Sequence, residues 1–316
     1  MLESLSKAFF RGFRRTPEER LRAAKLVACD LDGTLLNRDE RIAPSSVALI
    51  KQVEQLGIRF VLITRRHHQA VEPYAEELQL AEPIISLDGA LTCALHADAP
   101  LDTAEFDQDF ALDITDEIAL TDDVDCWVVT PNGFFTTKAD TPLPWHHVHW
   151  NIETEVIPNF EDLARQGAIL EIVASGSFHG VNAIYNYVER KMRRDELKLR
   201  LYESNARSDQ WYLEVRANAA TKDTALGRLL ARYDVDYQEV IGIGDNYNDL
   251  EFCRKAGYVV AVRNAVEPLL MMADYITQRD FNHEGVDEFL QYLLVTRGAI
   301  AGVAPVPATK RRPRSR

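Results

Sequence analysis

The sequence predicts an α/β fold, a mostly parallel sheet with flanking helices that is interrupted by an inserted second domain. Short apolar runs alternate with segments of helical periodicity, the pattern of strands joined by crossover helices. The alternation stops near residue 88, gives way to turn-rich text, and returns near residue 208. Aspartates stand directly behind apolar runs on both sides of the interruption, where the carboxyl ends of parallel strands form a ligand crevice.

Taken in order, "KLVACD" predicts the first strand. "SSVALIKQVEQLG" predicts a helix, with Val47, Ile50, Val53 and Leu56 at helical spacing and Gly57 as its stop. "IRFVLIT" is the second strand, a helix follows from about Arg66 to Leu80, and "PIISLD" is a short third strand. Between about Asp88 and Arg207 the turn signals "TPNG" and "DTPLP" break the rhythm; "DCWVVT" and "AILEIVAS" read as strands and "GVNAIYNYVERKM" as the one helix. The first pattern resumes with the strand "WYLEVRA", a helix over "TKDTALGRLLARY", the strand "EVIGIG", a helix over "DLEFCRKA" and the strand "YVVAVRN". The predicted organisation is therefore a core domain of residues 25–88 and 208–296, an insertion over 89–207, a basic extension over 1–24, and a basic tail over 297–316 with a disordered composition.

Composition narrows the function classes. The chain has 316 residues, 46% of them hydrophobic, enough for real cores. No run of 18 apolar residues occurs and no secretory signal is visible, so a cytoplasmic location is expected. Residues 1–25 carry seven Lys or Arg against three Glu, and the tail "TKRRPRSR" adds five positive charges; with a net charge of −13, the body between them stands at −22. Such a body repels nucleic acid phosphates, and no nucleic acid partner is expected. Small, metal-complexed anions suit it better. Leu2, Leu5, Phe9 and Phe13 fall near one helical face among basic residues; that face either meets an anionic membrane or partner, or, as is the expected reading, packs on its own domain or belongs to a frayed terminus. Cys29, Cys93, Cys126 and Cys253 lie far apart and are expected to be buried thiols rather than zinc ligands or disulfides.

The strand ends supply Asp30 and Asp32, then Thr64, then Asp245 and Asp249 within "GDNYND". Carboxylates converging from separate strands repel one another unless a cation sits among them. These are hard oxygen donors with no His or Cys nearby in sequence, so Mg²⁺ suits them far better than zinc. Mg²⁺ shares its remaining positions with substrate phosphates, and Lys222, at the start of a helix, would meet such a phosphate with its ammonium and the positive end of the helix dipole.

In that order, "DLDGTLL" (Asp30 to Leu36), Thr64, Lys222 and "GDNYND" (Gly244 to Asp249) resemble the four motifs of the haloacid dehalogenase-like phosphatases. The insertion and "NHEGVDEFL" near the end resemble the Cof-type branch. The resemblance spans about residues 25–293. It implies a doubly wound, Rossmann-like core, an α/β cap formed by the insertion, and an Mg²⁺-dependent phosphatase acting on a small phosphorylated metabolite, sugar phosphates first, through an aspartyl-phosphate. It also implies roles. Asp30 would be the nucleophile, and Asp32 the general acid and base whose carbonyl also binds the metal. Asp30 and Asp245 would ligate Mg²⁺, Asp249 would hold it through water or orient Lys222, and Thr64, Lys222 and Asn248 would bind the phosphoryl group. A phosphomutase of the same fold, or a binding or scaffold protein that keeps the fold without turnover, is the alternative.

Two positions depart from the family pattern. Arg65 follows Thr64 where relatives commonly carry Gly, and it either points to solvent or reaches the crevice. Asp88 precedes Gly89 where relatives usually have Asn, adding negative charge that either weakens anion binding or recruits a cationic group. The segment "PWHHVHW", with Trp145, His146, His147, His149 and Trp150, matches no standard zinc spacing and reads as a loop with half-buried aromatics.

Overall fold

The computed structural model describes residues 16–302 except 106, 140–149, 151, 193–195 and 205–206. The apolar face at residues 2–13, residues 303–316 of the basic tail and most of the His/Trp segment thus lie outside the described residues. The chain forms two compact units, one containing residues up to Phe60 and from Leu230 onward, the other Val61–Leu229.

Strands β1 (Leu26–Cys29), β12 (Val240–Gly244), β13 (Tyr258–Ala261) and β14 (Tyr275–Ile276) of the first unit form a sheet with β2 (Arg59–Leu62), the strand in which the division after Phe60 falls, in the order β14-β13-β12-β1-β2. Its β1–β12, β12–β13 and β13–β14 pairs are parallel, and β1 and β12 are buried along their whole length. That is why both read as unbroken apolar runs. Helices α1 (Pro17–Ala23), α2 (Pro44–Gln55), α8 (Leu250–Lys255), α9 (Glu267–Met272) and α10 (Gly285–Thr296) belong to this unit. Helix α1 falls in the stretch read only as a basic extension; Thr16 and Glu19 form a capping box, Pro17 opens the first turn and Leu21 is buried. Helices α2 and α10 pack together, with the Ser46 hydroxyl donating to Asp287.

In the second unit a six-stranded sheet runs in the order β10-β11-β9-β6-β7-β8, from β6 (Val124–Thr130), β7 (Gly133–Thr136), β8 (Thr154–Val156), β9 (Glu171–Gly176), β10 (Leu197–Glu203) and β11 (Trp211–Ala217). Every pair is antiparallel except β7–β8. A smaller sheet contains β3 (Ile84–Ser86), β4 (Leu91–Cys93) and β5 (Asp102–Thr103). Helices α3 (His68–Leu78), α4 (Gln108–Ala119), α5 (Phe160–Gln166) and α6 (Phe178–Lys191) complete it, and α7 (Lys222–Tyr233) begins in it.

The expectation of one helix between residues 89 and 207 is corrected: the described residues of that stretch carry three, α4, α5 and α6. Helix α4 buries Ala111, Ile114 and Ile118 at helical spacing beneath acidic neighbours that hid the pattern, and Asp107 caps it. Helix α5 is only seven residues long and is capped by Asn159. The third predicted strand exists, but its ladder is antiparallel, with β4; toward the second strand it makes one isolated bridge, Ile63 to Ile85. All four cysteines are buried thiols outside any disulfide, as expected. Among the described residues no helix is long and apolar enough to cross a membrane.

Candidate active site

Parallel pairing of β1 with β12 places Cys29 opposite Ile243, and the Asp30 amide continues the ladder to the Ile243 carbonyl at 3.0 Å. The next side chains along these two strands are therefore Asp30 and Asp245, at adjacent carboxyl ends. A 3₁₀ turn, Tyr247–Asp249, folds Asp249 back toward them. One carboxylate oxygen from each of Asp30, Asp245 and Asp249 lies within 4.8 Å of the others. Asp30 and Asp249 are buried and Asp245 is half-buried.

Neutral donors hold this cluster. Asp249 Oδ2 accepts from the amides of Asp245 and Asn246, each at 3.0 Å. Thr34 Oγ1 donates to Asp245 Oδ1 at 3.1 Å. Asn264 Nδ2 donates to the Gly33 carbonyl at 2.8 Å and lies 3.4 Å from Asp245 Oδ2. The sequence reading passed over Thr34 and Asn264, although Asn264 stands just past β13, where the strand-end rule that found Asp245 applies equally. Asp32 and Asn248 are exposed, on the turns that carry Asp30 and Asp249.

Gly33 sits at φ 78°, and a Cβ there would lie 2.6 Å from Asp245 Oδ2. Gly33→Ala should cost about 1–2 kcal/mol from the left-handed backbone alone. It should reduce activity more than stability, because the methyl group displaces the Asp245 carboxylate; denaturation midpoints measured beside turnover check this.

Ligands facing each other across Mg²⁺ stand about 4.2 Å apart and adjacent ones about 3 Å. The Asp30, Asp245 and Asp249 oxygens are of that scale, and all are the hard donors this ion takes. The site fits a small divalent cation.

In the second unit, buried Thr64 lies past β2; its amide donates to the Ile85 carbonyl at 2.8 Å and its hydroxyl accepts from the Arg66 amide at 3.1 Å. Lys222, also buried, is the first residue of α7, and Thr221 caps that helix by accepting from the Thr224 amide at 3.1 Å. Arg65 pairs with Glu214; burial opposes its charge, but Glu214 together with Asp88 and Tyr202 outweighs that and raises its pKa. Asp88 recruits a cation, Arg216, at 3.0 Å.

His67 links this region to β6. Its Nδ1 accepts from the Gln69 amide at 3.3 Å, capping α3, so the ring proton resides on Nε2 and is donated to the Thr130 carbonyl at 2.9 Å. Burial lowers its pKa to about 4, with the Thr130 bond opposing. Between its ordinary value of 6.5 and 4, the unfolded chain takes up a proton that the folded chain refuses, so this group's contribution to stability falls as pH drops through that window. From pH 7.5 to pH 5, wild type should lose about 2 kcal/mol more than His67→Gln does, read from urea midpoints.

A family model described as haloacid dehalogenase-like hydrolase matches residues 27–290. Among curated proteins, the chain is 26% identical over 296 residues to the 5-amino-6-(5-phospho-D-ribitylamino)uracil phosphatase YwtE of Bacillus subtilis, covering 85% of this chain and 98% of that one. It is 23% identical over 262 residues to the pyridoxal phosphate phosphatase YbhA of Escherichia coli, covering 80% and 92%. Among solved structures, TM0651 from Thermotoga maritima shares the fold with a TM-score of 0.73 at 22% identity, over 89% of this chain and 99% of that one.

Proposed function

We propose, because this chain belongs to the haloacid dehalogenase-like hydrolases, that it is an Mg²⁺-dependent phosphatase of a small phosphorylated metabolite. The observation that carries the reading is the convergence of Asp30 with Asp245 and Asp249 from separate strand ends. Nothing in folding alone favours three carboxylates so close together.

Asp30 attacks the phosphorus of a phosphomonoester, forming an aspartyl-phosphate as the bond to the leaving alkoxide breaks. Asp32 gives its proton to that alkoxide and then takes one from the water that hydrolyses the aspartyl-phosphate, returning Asp30. The exposure of Asp32 suits a group that must meet both leaving group and water. Thr64, Lys222 and Asn248 hold phosphoryl oxygens, the Lys222 ammonium being reinforced by the start of α7. Asp30, Asp245 and Asp249, with the Asp32 carbonyl, would hold Mg²⁺, which when bound offsets their charge against that of the phosphate. The insertion, taken as residues 89–207, acts as a cap that selects the leaving group.

YwtE and YbhA are named for phosphorylated small molecules, one of them bearing its phosphate on a ribityl chain. Sugar and sugar-alcohol phosphates are therefore the first class to test here. The purified protein with Mg²⁺ should release inorganic phosphate from members of a phosphorylated-metabolite panel. Isomerised sugar phosphate without free phosphate would instead mark a mutase, and no turnover on any member a binding protein.

A further inference from the structure

We propose that Arg216 is a positioning residue: from β11 it holds the 87–89 loop, and through that loop it sets the places of Thr64 and Lys222. The inference rests on the reading of those two residues as phosphate ligands. Leu87, Asp88 and Gly89 have φ values of 49°, 52° and 99°, three consecutive residues in the left-handed region. Side-chain-bearing residues stay there only where their surroundings over-determine them.

The loop touches both phosphate ligands' neighbourhoods. On one side the Leu87 amide donates to the Arg66 carbonyl at 2.9 Å and the Asp88 amide to the Thr64 carbonyl at 3.0 Å. On the other, Gly89 lies so close to Thr221 that a Cβ would stand 2.2 Å from the Thr221 carbonyl oxygen, one residue before Lys222. A shift of this loop therefore moves Thr64 and the start of α7 together.

Arg216 holds it through a planar fork. One terminal nitrogen donates to Asp88 Oδ2 at 3.0 Å and to the Leu87 carbonyl at 3.4 Å. The other donates to Glu214 Oε2 at 2.9 Å, and Nε lies 3.2 Å from Glu171 Oε1. Arg216 faces Glu171 across the β11–β9 ladder, so the fork is mounted on a sheet. Glu214, two residues back on the same face, takes the Arg65 guanidinium and the Tyr202 hydroxyl, the latter at 2.6 Å. The network thus holds both the residue after Thr64 and the loop beneath it. Burial opposes the Arg216 charge, but Glu171, Glu214 and Asp88 outweigh it and raise its pKa well above the ordinary value. Apolar residues would fill such a site at less cost; a guanidinium adds direction, which an ammonium cannot reproduce.

The test uses the full chain with Mg²⁺, p-nitrophenyl phosphate as substrate and inorganic phosphate as competitor. Arg216→Lys and Asp88→Ala should each raise KM and the phosphate inhibition constant together by about tenfold, with kcat changing less. Asp88→Asn, which keeps an acceptor and tolerates the left-handed backbone, should stay near wild type. The Leu87 and Asp88 amides should exchange hydrogen faster in Arg216→Lys. Folded Arg216→Lys and Asp88→Ala proteins with wild-type phosphate affinity and unchanged exchange would overturn the proposal. A wild type that neither turns over nor binds phosphate would overturn it through its premise; exchange differences persisting in that case would locate the failure in the phosphatase reading rather than in the hold on the loop.

Discussion

Asp30→Asn should lower phosphate release by about four orders of magnitude or more while leaving the fold intact. An amide oxygen is a poor nucleophile toward phosphorus, and no neighbour can substitute. Asp32 is exposed on the following turn, and Asp249 is committed to the amides of Asp245 and Asn246. The backbone contribution is untouched, because the Asp30 amide continues the ladder to Ile243 whatever its side chain. Removing one charge from a buried carboxylate cluster also relieves repulsion, so the melting temperature should hold or rise. The comparison is p-nitrophenyl phosphate turnover beside thermal unfolding. A variant with activity within tenfold of wild type would end the assignment of Asp30 as nucleophile.

The acidic cluster was legible in the sequence because two facts suffice to find it. An apolar run buried on both faces must end at a sheet edge, and in parallel sheets those ends share a crevice. Asp30 and Asp245 follow directly. The Arg216 network was not legible, for an equally specific reason. In "WYLEVRA" the alternation of Leu213 and Val215 with Glu214 and Arg216 reads as a strand with one wet face. In the structure that face is covered, and both charged residues are buried among partners brought from residues 65, 88 and 171. Partners so distant in sequence leave no periodic trace. The departures Arg65 and Asp88 looked like two separate anomalies, yet they are two ends of one network joined by Glu214 and Arg216. Helix α4 was missed because acidic residues outnumber the three apolar positions that define its buried face.

Asp245→Asn should have opposite effects with and without metal, and that reversal separates a cation site from a cluster kept for structure. In EDTA the wild-type cluster carries its full repulsion. At the 4.8 Å limit of separation and an effective dielectric of about 20, each pair of carboxylates opposes folding by about 3 kcal/mol, partly offset by the amides that Asp249 accepts. Asparagine removes Asp245 from two such pairs and can keep the Thr34 hydrogen bond through its carbonyl oxygen. Its melting temperature in EDTA should therefore equal or exceed that of wild type. Adding Mg²⁺ should raise the wild-type melting temperature by mass action and leave the variant where it was. Activity should fall by at least about a hundredfold at Mg²⁺ concentrations that saturate wild type, and recover in part as the concentration rises. Thermal unfolding across a Mg²⁺ titration, run beside phosphate release, reads both signs in one experiment. If wild type showed no response to the ion, or Asp245→Asn responded as strongly as wild type, these carboxylates would not be its ligands.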